Sequence, residues 1–466
     1  MIDRTELLGV ATELSLSPDV VEKDYVLGWL LAGIYAHPEL AGTLVFKGGT
    51  CLKKCYFETY RFSEDLDFTL TVPTSLNESF LRKAFGEVAE WIYDAVGIEI
   101  AVDAMRFDIY QNRRGKESCQ GRIYYNGPLR RTATSLPRVK LDLTADELIV
   151  LTPVDRPVGH PYSDTPSEGI FARCYPYVEL MGEKIRALGE RTRPRDLYDV
   201  ISLYRNDQYR PEADELLEVL RKKCEYKNIA IPTVGALSSG LDELRHDWDA
   251  MLGHQLPSLP PFDSFWSALP VVLTWLMTGA IGLHPTALPV APGERLFNPA
   301  LGSFRTAGVA RASHLEIIRF AASNRLCVDL RYGGEVRRIE PYSLRRTTDG
   351  NILLYAIRSH DGELRSYRTD RIQGAQATNQ TFVPRFSIEL TPSGGGAISP
   401  VVRTSTPRAP YRSSTRRTPG TTYIYQCPYC SKKFRRNKPS SRLNQHKTGY
   451  GSSCSGRTGY LIDTIY

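Results

Sequence analysis

The sequence predicts an α+β protein with more than one domain, and three observations support this class. The chain has 466 residues, which is more than a single hydrophobic core usually organises. Strand-like and helix-like apolar patterns alternate through its first half. From 325 to 385, alternating residues and the turns Gly333-Gly334, Asp349-Gly350 and Asp361-Gly362 indicate successive β-hairpins. With 42% hydrophobic and 24% charged residues, most of the chain is expected to fold.

The apolar patterns also give the order of the elements before residue 285. They predict helices over 19–35, 50–57, 78–95, 176–190, 194–205 and much of 211–282, and strands over 43–47, 65–72, 98–109, 121–126 and 136–144. The longest apolar run, Leu269 to Leu283, is too short to span a bilayer and is expected to be a buried helix. The N-terminus has charged residues where a signal peptide would be apolar, so a cytoplasmic protein without a membrane partner is expected.

Charge and cysteines are distributed unevenly. From Arg403 onward there are thirteen Lys/Arg and one acid, so this segment carries +12 and, with a total of +7, the preceding residues carry −5. A basic tail of this kind suggests a polyanionic partner. Three of the nine cysteines lie in the last forty residues, which suits a metal site in a reducing compartment.

Gly48, Gly49 and Thr50 form a turn between a predicted strand and a predicted helix. Because glycine lacks a side chain, the backbone N–H groups of such a turn can approach a phosphate closely, and the helix start adds a favourable dipole. Turns of this kind also occur without a ligand, so the turn alone leaves both interpretations open.

Asp65 and Asp67 lie at i and i+2 of the next predicted strand, so both carboxylates leave one face. Adjacent carboxylates repel each other, and Mg²⁺ is the cation that carboxylates and substrate phosphates hold together. Lys140 and Asp142 share one face of a later strand, where Asp142 would complete a two-metal site and Lys140 would neutralise phosphate charge. An ordinary polar strand face is the alternative for each pair.

A densely charged helical segment, Glu179 to Leu188, is followed by Arg191, Arg195, Asp196 and Asp199. Charge of this density beside phosphate-binding elements favours contacts with a nucleotide. A solvated helix with ion pairs one turn apart is the alternative.

Together these segments resemble the AbiEii/AbiGii family of nucleotidyltransferase toxins. The resemblance is carried, in the family's order, by EKDYVLGWLLAGI, VFKGGTCLKKCYFETYRFSEDLDF, VKLDLT and ELMGEKIRALGERTRPRDLYDV, and it covers about residues 1 to 284. It implies a DNA polymerase β-like nucleotidyltransferase fold, a mixed sheet flanked by helices, with a helical C-terminal part.

The resemblance also implies roles for individual residues. Asp65 and Asp67 would ligate Mg²⁺, with Lys140 and Asp142 as the next catalytic motif. The motif positions implied to bind the NTP are Gly48, Gly49, Thr50, Lys53, Arg61, Ser63, Lys184, Arg195, Asp196 and Asp199. Members of the family transfer nucleotides, some to tRNA 3′ ends and others to proteins, and a cognate antitoxin is an expected partner.

Residues 313–388 resemble a WYL domain, a small Sm-like β-barrel that senses nucleotides or nucleic acid. The resemblance is carried by EPYSL, LLYA and RSYRTDRI, with Glu340 and Pro341 near the place of the usual Trp. Arg365 and Arg368 are candidates for nucleic-acid binding, because a planar guanidinium binds two phosphate oxygens at once. A charged barrel exterior is the alternative. A linker over 285–312 precedes this module, and a disordered basic linker over 389–422 follows it.

The last module, 423–466, resembles a ββα zinc finger. Cys427, Cys430, His446 and Cys454 follow the order C-x2-C-x15-H-x7-C, which suits a structural Zn²⁺, although both longer spacings exceed the common ones. The basic residues Lys432, Lys433, Arg435 and Arg436 surround the ligands and favour nucleic-acid binding. A solvated basic face is the alternative.

The resulting hypothesis is a toxin or phage-defence effector that uses two Mg²⁺ ions to transfer a nucleotide from NTP to RNA, with tRNA as the favoured acceptor and a role in abortive infection. The alternatives are a nucleic-acid-binding regulator with a non-catalytic transferase fold, and AMP transfer onto a protein.

Overall fold

A computed structural model describes residues 1–14, 16–57, 60–112, 114–206, 210–280, 286–289, 291–297, 311–390, 422–436, 441–443, 446 and 453–465. The chain divides into two compact units, residues 1–406 and 407–466.

The helices predicted before residue 285 are present, together with helices over 4–14 and 40–43 that the pattern did not predict. The described helices of the first unit are α1 (Arg4–Leu14), α2 (Pro18–Ala36), α3 (Leu40–Thr43), α4 (Gly48–Cys51), α5 (Glu78–Val96), α6 (Tyr177–Arg191), α7 (Pro194–Tyr204), α8 (Ala213–Lys227), α9 (Val234–Ser238), α10 (Leu241–Leu252), α11 (Phe262–Trp266), α12 (Leu269–Thr278) and α13 (Arg311–Ser323). A π-helical turn, Leu52–Tyr56, directly continues α4.

Local signals explain where the two long helices near the N-terminus begin and end. α2 starts at Pro18 after the cap residue Ser17, whose side chain accepts a hydrogen bond from the Asp19 N–H. Most of α2 is buried, which fits the uncharged sequence of its second part, residues 25–36. α5 is capped by Asn77 and ends at Gly97 in the left-handed conformation.

An eight-stranded mixed sheet forms the centre of the N-terminal part. Its strands are β1 (Leu44–Lys47), β2 (Asp65–Leu70), β3 (Glu99–Ile100), β4 (Arg106–Gln111), β5 (Glu117–Asn126), β6 (Arg138–Thr144), β7 (Val154–Pro157) and β8 (Phe171–Cys174). Their order is β3-β5-β6-β2-β1-β8-β7, and β4 pairs with β5. The β2–β6 and β1–β8 pairs are parallel, whereas the β1–β2 and β5–β6 pairs are antiparallel. The predicted mixed sheet flanked by helices is therefore present.

The sequence patterns missed β7 and β8 and merged β3 with β4. β7 and β8 have four residues each, too few for an alternation to be recognised. Between β3 and β4 the chain makes a short 3₁₀ turn over Val102–Ala104, which breaks the strand predicted over 98–109. The predicted buried helix is present as α12, although Val271 and Met277 on its outer side are exposed.

A second, antiparallel sheet is formed by one short strand before α13 and five strands after it. It contains β9 (Arg295–Leu296), β10 (Leu326–Tyr332), β11 (Glu335–Arg346), β12 (Ile352–Arg358), β13 (Leu364–Arg368) and β14 (Ile372–Thr381). The order is β13-β12-β11-β10-β14, with β9 beside β11. The three predicted turns join consecutive strands from β10 to β13, which confirms the hairpin prediction. Buried apolar side chains of both sheets belong to one continuous core within the first unit.

The second unit is a small three-stranded antiparallel sheet of β15 (Thr422–Gln426), β16 (Lys433–Arg436) and β17 (Tyr460–Ile465). The ββα pattern places a helix before His446, on residues that lie mostly outside the described ones. Arg442, which is described, forms a β-bridge with Thr458 instead. Among the described helices of the whole chain, none has the length and apolar character that crossing a membrane requires.

Candidate functional site

Sheet register brings the predicted carboxylates onto neighbouring strands. Parallel pairing of β2 with β6 sets Asp65 beside Lys140 and Asp67 beside Asp142. On the other side of Asp67, antiparallel pairing with β1 sets Lys47 beside it. All four predicted catalytic residues therefore share one face of the sheet, because residues opposite each other on paired strands point the same way.

The Gly48-Gly49-Thr50 turn lies against this row of side chains. Gly48 has a φ of +81°, and a Cβ built on it would lie 2.0 Å from Oδ2 of Asp67. A Cβ on Gly49 would lie 2.8 Å from Nη2 of Arg61 and 3.1 Å from Oγ of Ser63. The Thr50 hydroxyl donates a hydrogen bond to the backbone oxygen of Asp65. The absence of side chains at Gly48 and Gly49 therefore lets Asp67 and Arg61 pack directly against the backbone of the turn.

Asp199 is the centre of a buried network below the turn. Its Oδ1 and Oδ2 each lie 2.7 Å from a nitrogen of Arg61, and its Oδ2 lies 2.7 Å from Nζ of Lys184. The Tyr60 hydroxyl donates a further hydrogen bond to Oδ1. Burial raises the pKa of Asp199, but the attraction of Arg61 and Lys184 outweighs this and holds that pKa well below its usual range.

The network gives several predicted nucleotide-binding residues an internal partner. Asp199 and Asp196 are completely buried, and Asp196 accepts two hydrogen bonds from Arg191. Both carboxylates are buried against basic side chains, and Asp199 binds Arg61, whose Nη2 lies close to Gly49. Their expected contact with a nucleotide stays a prediction.

Lys47 is a basic residue beside the carboxylates that the motif interpretation missed. Its Nζ lies 2.9 Å from Glu183 and 3.5 Å from Glu147, and all three side chains are largely buried. Its position directly before the glycine turn was the available sequence signal. Lys53, by contrast, was predicted to bind nucleotide, and its ammonium lies 4.7 Å from the centre of the Phe62 ring.

The carboxylates of Asp65, Asp67 and Asp142 differ from the buried acids around them. Within the described part of the chain, no basic side chain lies within ion-pair distance of any of the three, whereas Asp196, Asp199 and Glu183 are all paired. Burial and the repulsion of Asp142 raise the pKa of Asp67 to about 6, although Lys47 and Lys184 oppose this. Burial also raises the pKa of Asp65, with Lys140 opposing.

Half-buried carboxylates that repel one another suit a divalent cation, because oxygen ligands of this type hold Mg²⁺. The oxygens of the three carboxylates are spread more widely than the ligands of a preformed metal site. Two other groups among the described residues have all their ligand atoms within 4.8 Å of one another, whereas these three carboxylates do not. Because Mg²⁺ binds oxygen at about 2.0–2.1 Å, a single ion held by all three carboxylates would draw their oxygens closer together.

A cavity of about 310 Å³ opens beside Asp65. Basic side chains prevail in its lining, which consists of Lys23, Glu64, Asp65, Arg138, Lys140, Arg195, His254 and Gln255. Lys23 comes from α2 and pairs with Glu64 at 2.5 Å, and Gln255 accepts a hydrogen bond from Arg61. The cavity therefore joins the predicted Lys140 and Arg195 to residues from distant segments, which only the fold brings together. An anionic ligand suits this lining.

Arg365 and Arg368, which were predicted to bind nucleic acid, lie on the surface of the second sheet. Arg365 pairs with Glu363, and Arg368 pairs with Asp370 at 2.8 Å. These short-range ion pairs support the alternative of a charged exterior as much as a phosphate-binding groove.

The four predicted ligands of the C-terminal unit do come together. The ligand atoms of Cys427, Cys430, His446 and Cys454 all lie within 4.8 Å of one another. Gly456 lies so close that a Cβ there would be 2.4 Å from the Cys427 sulfur. A tetrahedral ion with bonds of about 2.0 to 2.3 Å fits such a set. Lys432 and Lys433 beside it are exposed, whereas the burial of Arg435 and Arg436 lies outside what the structure describes.

Comparison with known proteins gives a family for this chain. The family described as nucleotidyl transferase AbiEii toxin, type IV toxin–antitoxin system, matches residues 29–269. No curated protein matches the chain.

Two solved structures show distant likeness. MenT4, a nucleotidyltransferase toxin from Mycobacterium tuberculosis H37Rv, is 18% identical, with 59% of this chain and 88% of that chain covered and a TM-score of 0.36. The proteasome accessory factor PafBC of Arthrobacter aurescens is 13% identical, with 79% and 74% covered and a TM-score of 0.14. These TM-scores are too low for either structure to carry an argument.

The family match spans more than half of the chain and includes the glycine turn, all three carboxylates and the Arg195–Asp199 segment. The protein belongs to the AbiEii family of nucleotidyltransferase toxins of type IV toxin–antitoxin systems.

Proposed function

We propose that the protein transfers a nucleotide from an NTP to an RNA acceptor, with tRNA as the favoured class, at the Asp65–Asp67–Asp142 face. The observation that carries this proposal is the contrast between three carboxylates without a basic partner among the described residues and a surrounding set of fully paired acids. Acids that only stabilised the fold would be paired in the same way.

The residues divide into three roles. Asp65, Asp67 and Asp142 would hold Mg²⁺, which when bound neutralises phosphate oxygens and lowers the pKa of an attacking hydroxyl. Lys140 and Arg195 line the cavity beside Asp65 and attract phosphate charge. Gly48 and Gly49 keep the turn free of side chains, so that its backbone N–H groups can donate to the triphosphate.

The reaction would then be an in-line attack of an acceptor hydroxyl on the α-phosphorus, with pyrophosphate leaving. Positioning and charge stabilisation supply most of the catalysis in phosphoryl-transfer reactions, so few side chains need to move protons. Lys184 and Arg61 act through position, since Asp199 fixes both of them.

The basic C-terminal unit supports an RNA acceptor. Its exposed Lys432 and Lys433 and the +12 charge of residues 403–466 favour a polyanion. Within this proposal the finger holds one Zn²⁺ at Cys427, Cys430, His446 and Cys454, and the WYL-like module controls or directs the transferase. The proposed domains are residues 1–284, 313–388 and 423–466, and the proposed partners include a cognate antitoxin.

The decisive experiment incubates the full chain with Mg²⁺, each α-labelled NTP and total tRNA or cell lysate. Label in RNA that disappears with Asp65→Ala/Asp67→Ala, but not with Asp94→Ala on the exposed side of α5, supports the proposal. Label in protein would show AMP transfer onto a protein instead. If no acceptor is labelled and cells tolerate the wild-type chain as well as the double variant, catalysis is excluded.

A further inference from the structure

A second group of metal-type ligands, separate from the four C-terminal residues, lies inside the first unit. The sulfur atoms of Cys51, Cys55 and Cys174 all lie within 4.8 Å of one another, and all three side chains are buried. Six of the nine cysteines therefore occur in two clusters of three. Cys119 and Cys224 are equally buried but belong to neither cluster, so burial alone does not explain the grouping.

The fold brings these three thiols together from two segments. Cys51 is the last residue of α4, and Cys55 lies four residues later in the π-helical turn, so both occupy the same side of one helical segment. Cys174 is the last residue of β8, which pairs in parallel with β1 in the register Phe46–Cys174. Because β1 leads directly into α4, the end of β8 lies beneath the helical segment.

Polar groups surround the cluster. The Tyr56 hydroxyl lies 3.8 Å from the Cys174 sulfur and donates a hydrogen bond to the backbone oxygen of Tyr175. Arg156 is buried on β7, donates hydrogen bonds to the backbone oxygen of Cys55 and lies 4.7 Å from the Tyr56 ring centre. Its positive charge would offset the net negative charge that three thiolates and one divalent cation create.

We propose that Cys51, Cys55 and Cys174 form a buried structural site for one thiolate-binding cation, with Zn²⁺ as the ion it takes. Thiolate sulfurs bind Zn²⁺ at about 2.3 Å, which places sulfurs of one tetrahedral site about 3.8 Å apart. The sulfurs already lie within 4.8 Å, so a contraction of about 1 Å closes the site. The Tyr56 oxygen, 3.8 Å from the Cys174 sulfur, is the candidate fourth ligand.

The site has a consequence for the glycine turn. Cys51 lies three residues after Gly48, so an ion bound to Cys51, Cys55 and Cys174 ties the end of α4 to β8. The metal would thereby hold the start of α4, and with it the turn beside Asp67, in a fixed position. It would enter during folding and leave slowly, since the three sulfurs are shielded from solvent.

The test measures metal content by mass spectrometry on the full chain, purified after growth with zinc. Cys430→Ser removes one ligand from the finger, so zinc that remains reports on the second cluster. We expect Cys430→Ser to retain one ion per chain, Cys430→Ser/Cys174→Ser to lose it, and Cys430→Ser/Cys119→Ser to retain it as the matched control. No difference between the two double variants would overturn the proposal.

A second measurement covers the case in which Cys174→Ser does not fold. Cobalt is loaded into the Cys430→Ser chain, where thiolate ligation gives intense near-ultraviolet charge-transfer absorption. The absorption should be present and should fall in Cys430→Ser/Cys55→Ala. Its absence, or a disulfide among the three cysteines found by thiol counting in denaturant without reductant, would overturn the site.

Discussion

Gly48 and Asp67 are in direct contact: a Cβ at Gly48 would lie 2.0 Å from the Asp67 carboxylate oxygen. The glycine also has a φ of +81°, a left-handed conformation that L residues adopt only at a cost. The turn and the carboxylate pair, separate motifs in the sequence, are therefore one structural unit. A side chain at position 48 would therefore displace the Asp67 carboxylate.

The Gly48→Ala variant should accordingly lose activity and stability together. We expect transfer to fall at least about 100-fold, because Asp67 must shift by more than the misplacement that such sites tolerate. The free energy of unfolding should fall by about 1–3 kcal/mol from backbone strain. Gly42→Ala is the control, since a Cβ there has nothing within 4 Å. Equal behaviour of both variants in transfer and urea-denaturation assays would contradict the contact.

The Asp67→Asn variant should lose transfer activity while keeping or gaining stability without metal. The pKa of Asp67 is raised to about 6 in the folded chain by burial and by Asp142. When folding raises the pKa of an acid, the protonated acid stabilises the folded state below the pKa of the unfolded chain, near 4. This stabilisation is lost as the pH rises through the pKa of the folded chain. The variant's advantage should therefore be absent below about pH 4 and reach about 3 kcal/mol above about pH 6, since each pKa unit corresponds to about 1.4 kcal/mol.

Urea denaturation in EDTA across this pH range measures the effect, with the exposed Asp94→Asn as reference. Adding Mg²⁺ should stabilise the wild-type chain and leave Asp67→Asn little changed, because a ligand that binds only the folded state adds stability. A variant that loses stability at neutral pH in EDTA would show that Asp67 is a structural acid.

Asp199 should behave in the opposite way from Asp67. Replacing it with Asn leaves Arg61 and Lys184 buried without a compensating charge, which costs about 3–5 kcal/mol. The folded pKa of Asp199 lies below its usual range, so its contribution is present above about pH 4 and disappears as the solution becomes more acidic. The matched control is Asp263→Asn, whose exposed pair with Arg245 is expected to contribute at most about 1 kcal/mol. Similar losses in both variants would refute the central role of the Asp199 network.

Asp67 and Asp199 also show how much of the site could be predicted from the sequence. Strand alternation predicted that Asp65 and Asp67 share a face, and the structure has them so. Pairing with Asp142 depends on long-range register, which no local pattern determines. The Arg195–Asp199 motif was expected at the nucleotide, yet Asp196 and Asp199 face inward. Sequence shows that a residue is charged, but only the fold shows whether a partner neutralises it.

The cavity shows the same limit for residues outside the motifs. Lys140 and Arg195 were predicted, and Arg138 shares the strand face of Lys140, whereas His254 and Gln255 line the same space without any sequence signal. The thiols of Cys51 and Cys174 are separated by more than a hundred residues, so their proximity depends on the β1–β8 pairing, and β8 itself was missed. Short strands carry too little pattern for such proximity to be foreseen.

The last prediction concerns the C-terminal unit and its two exposed lysines. Lys432→Glu/Lys433→Glu should weaken binding of the full chain to tRNA by at least about tenfold at low salt. The slope of log K against log salt concentration should become shallower by about one for each phosphate that the variant no longer neutralises. The control is Lys116→Glu, which changes an exposed charge on the turn between β4 and β5. Because the substitutions leave Cys427, Cys430, His446 and Cys454 in place, zinc content should stay constant.

If affinity and salt slope match those of the control, this unit does not bind the acceptor. If affinity falls but the zinc content falls with it, the lysines support the fold of the unit rather than the binding of RNA.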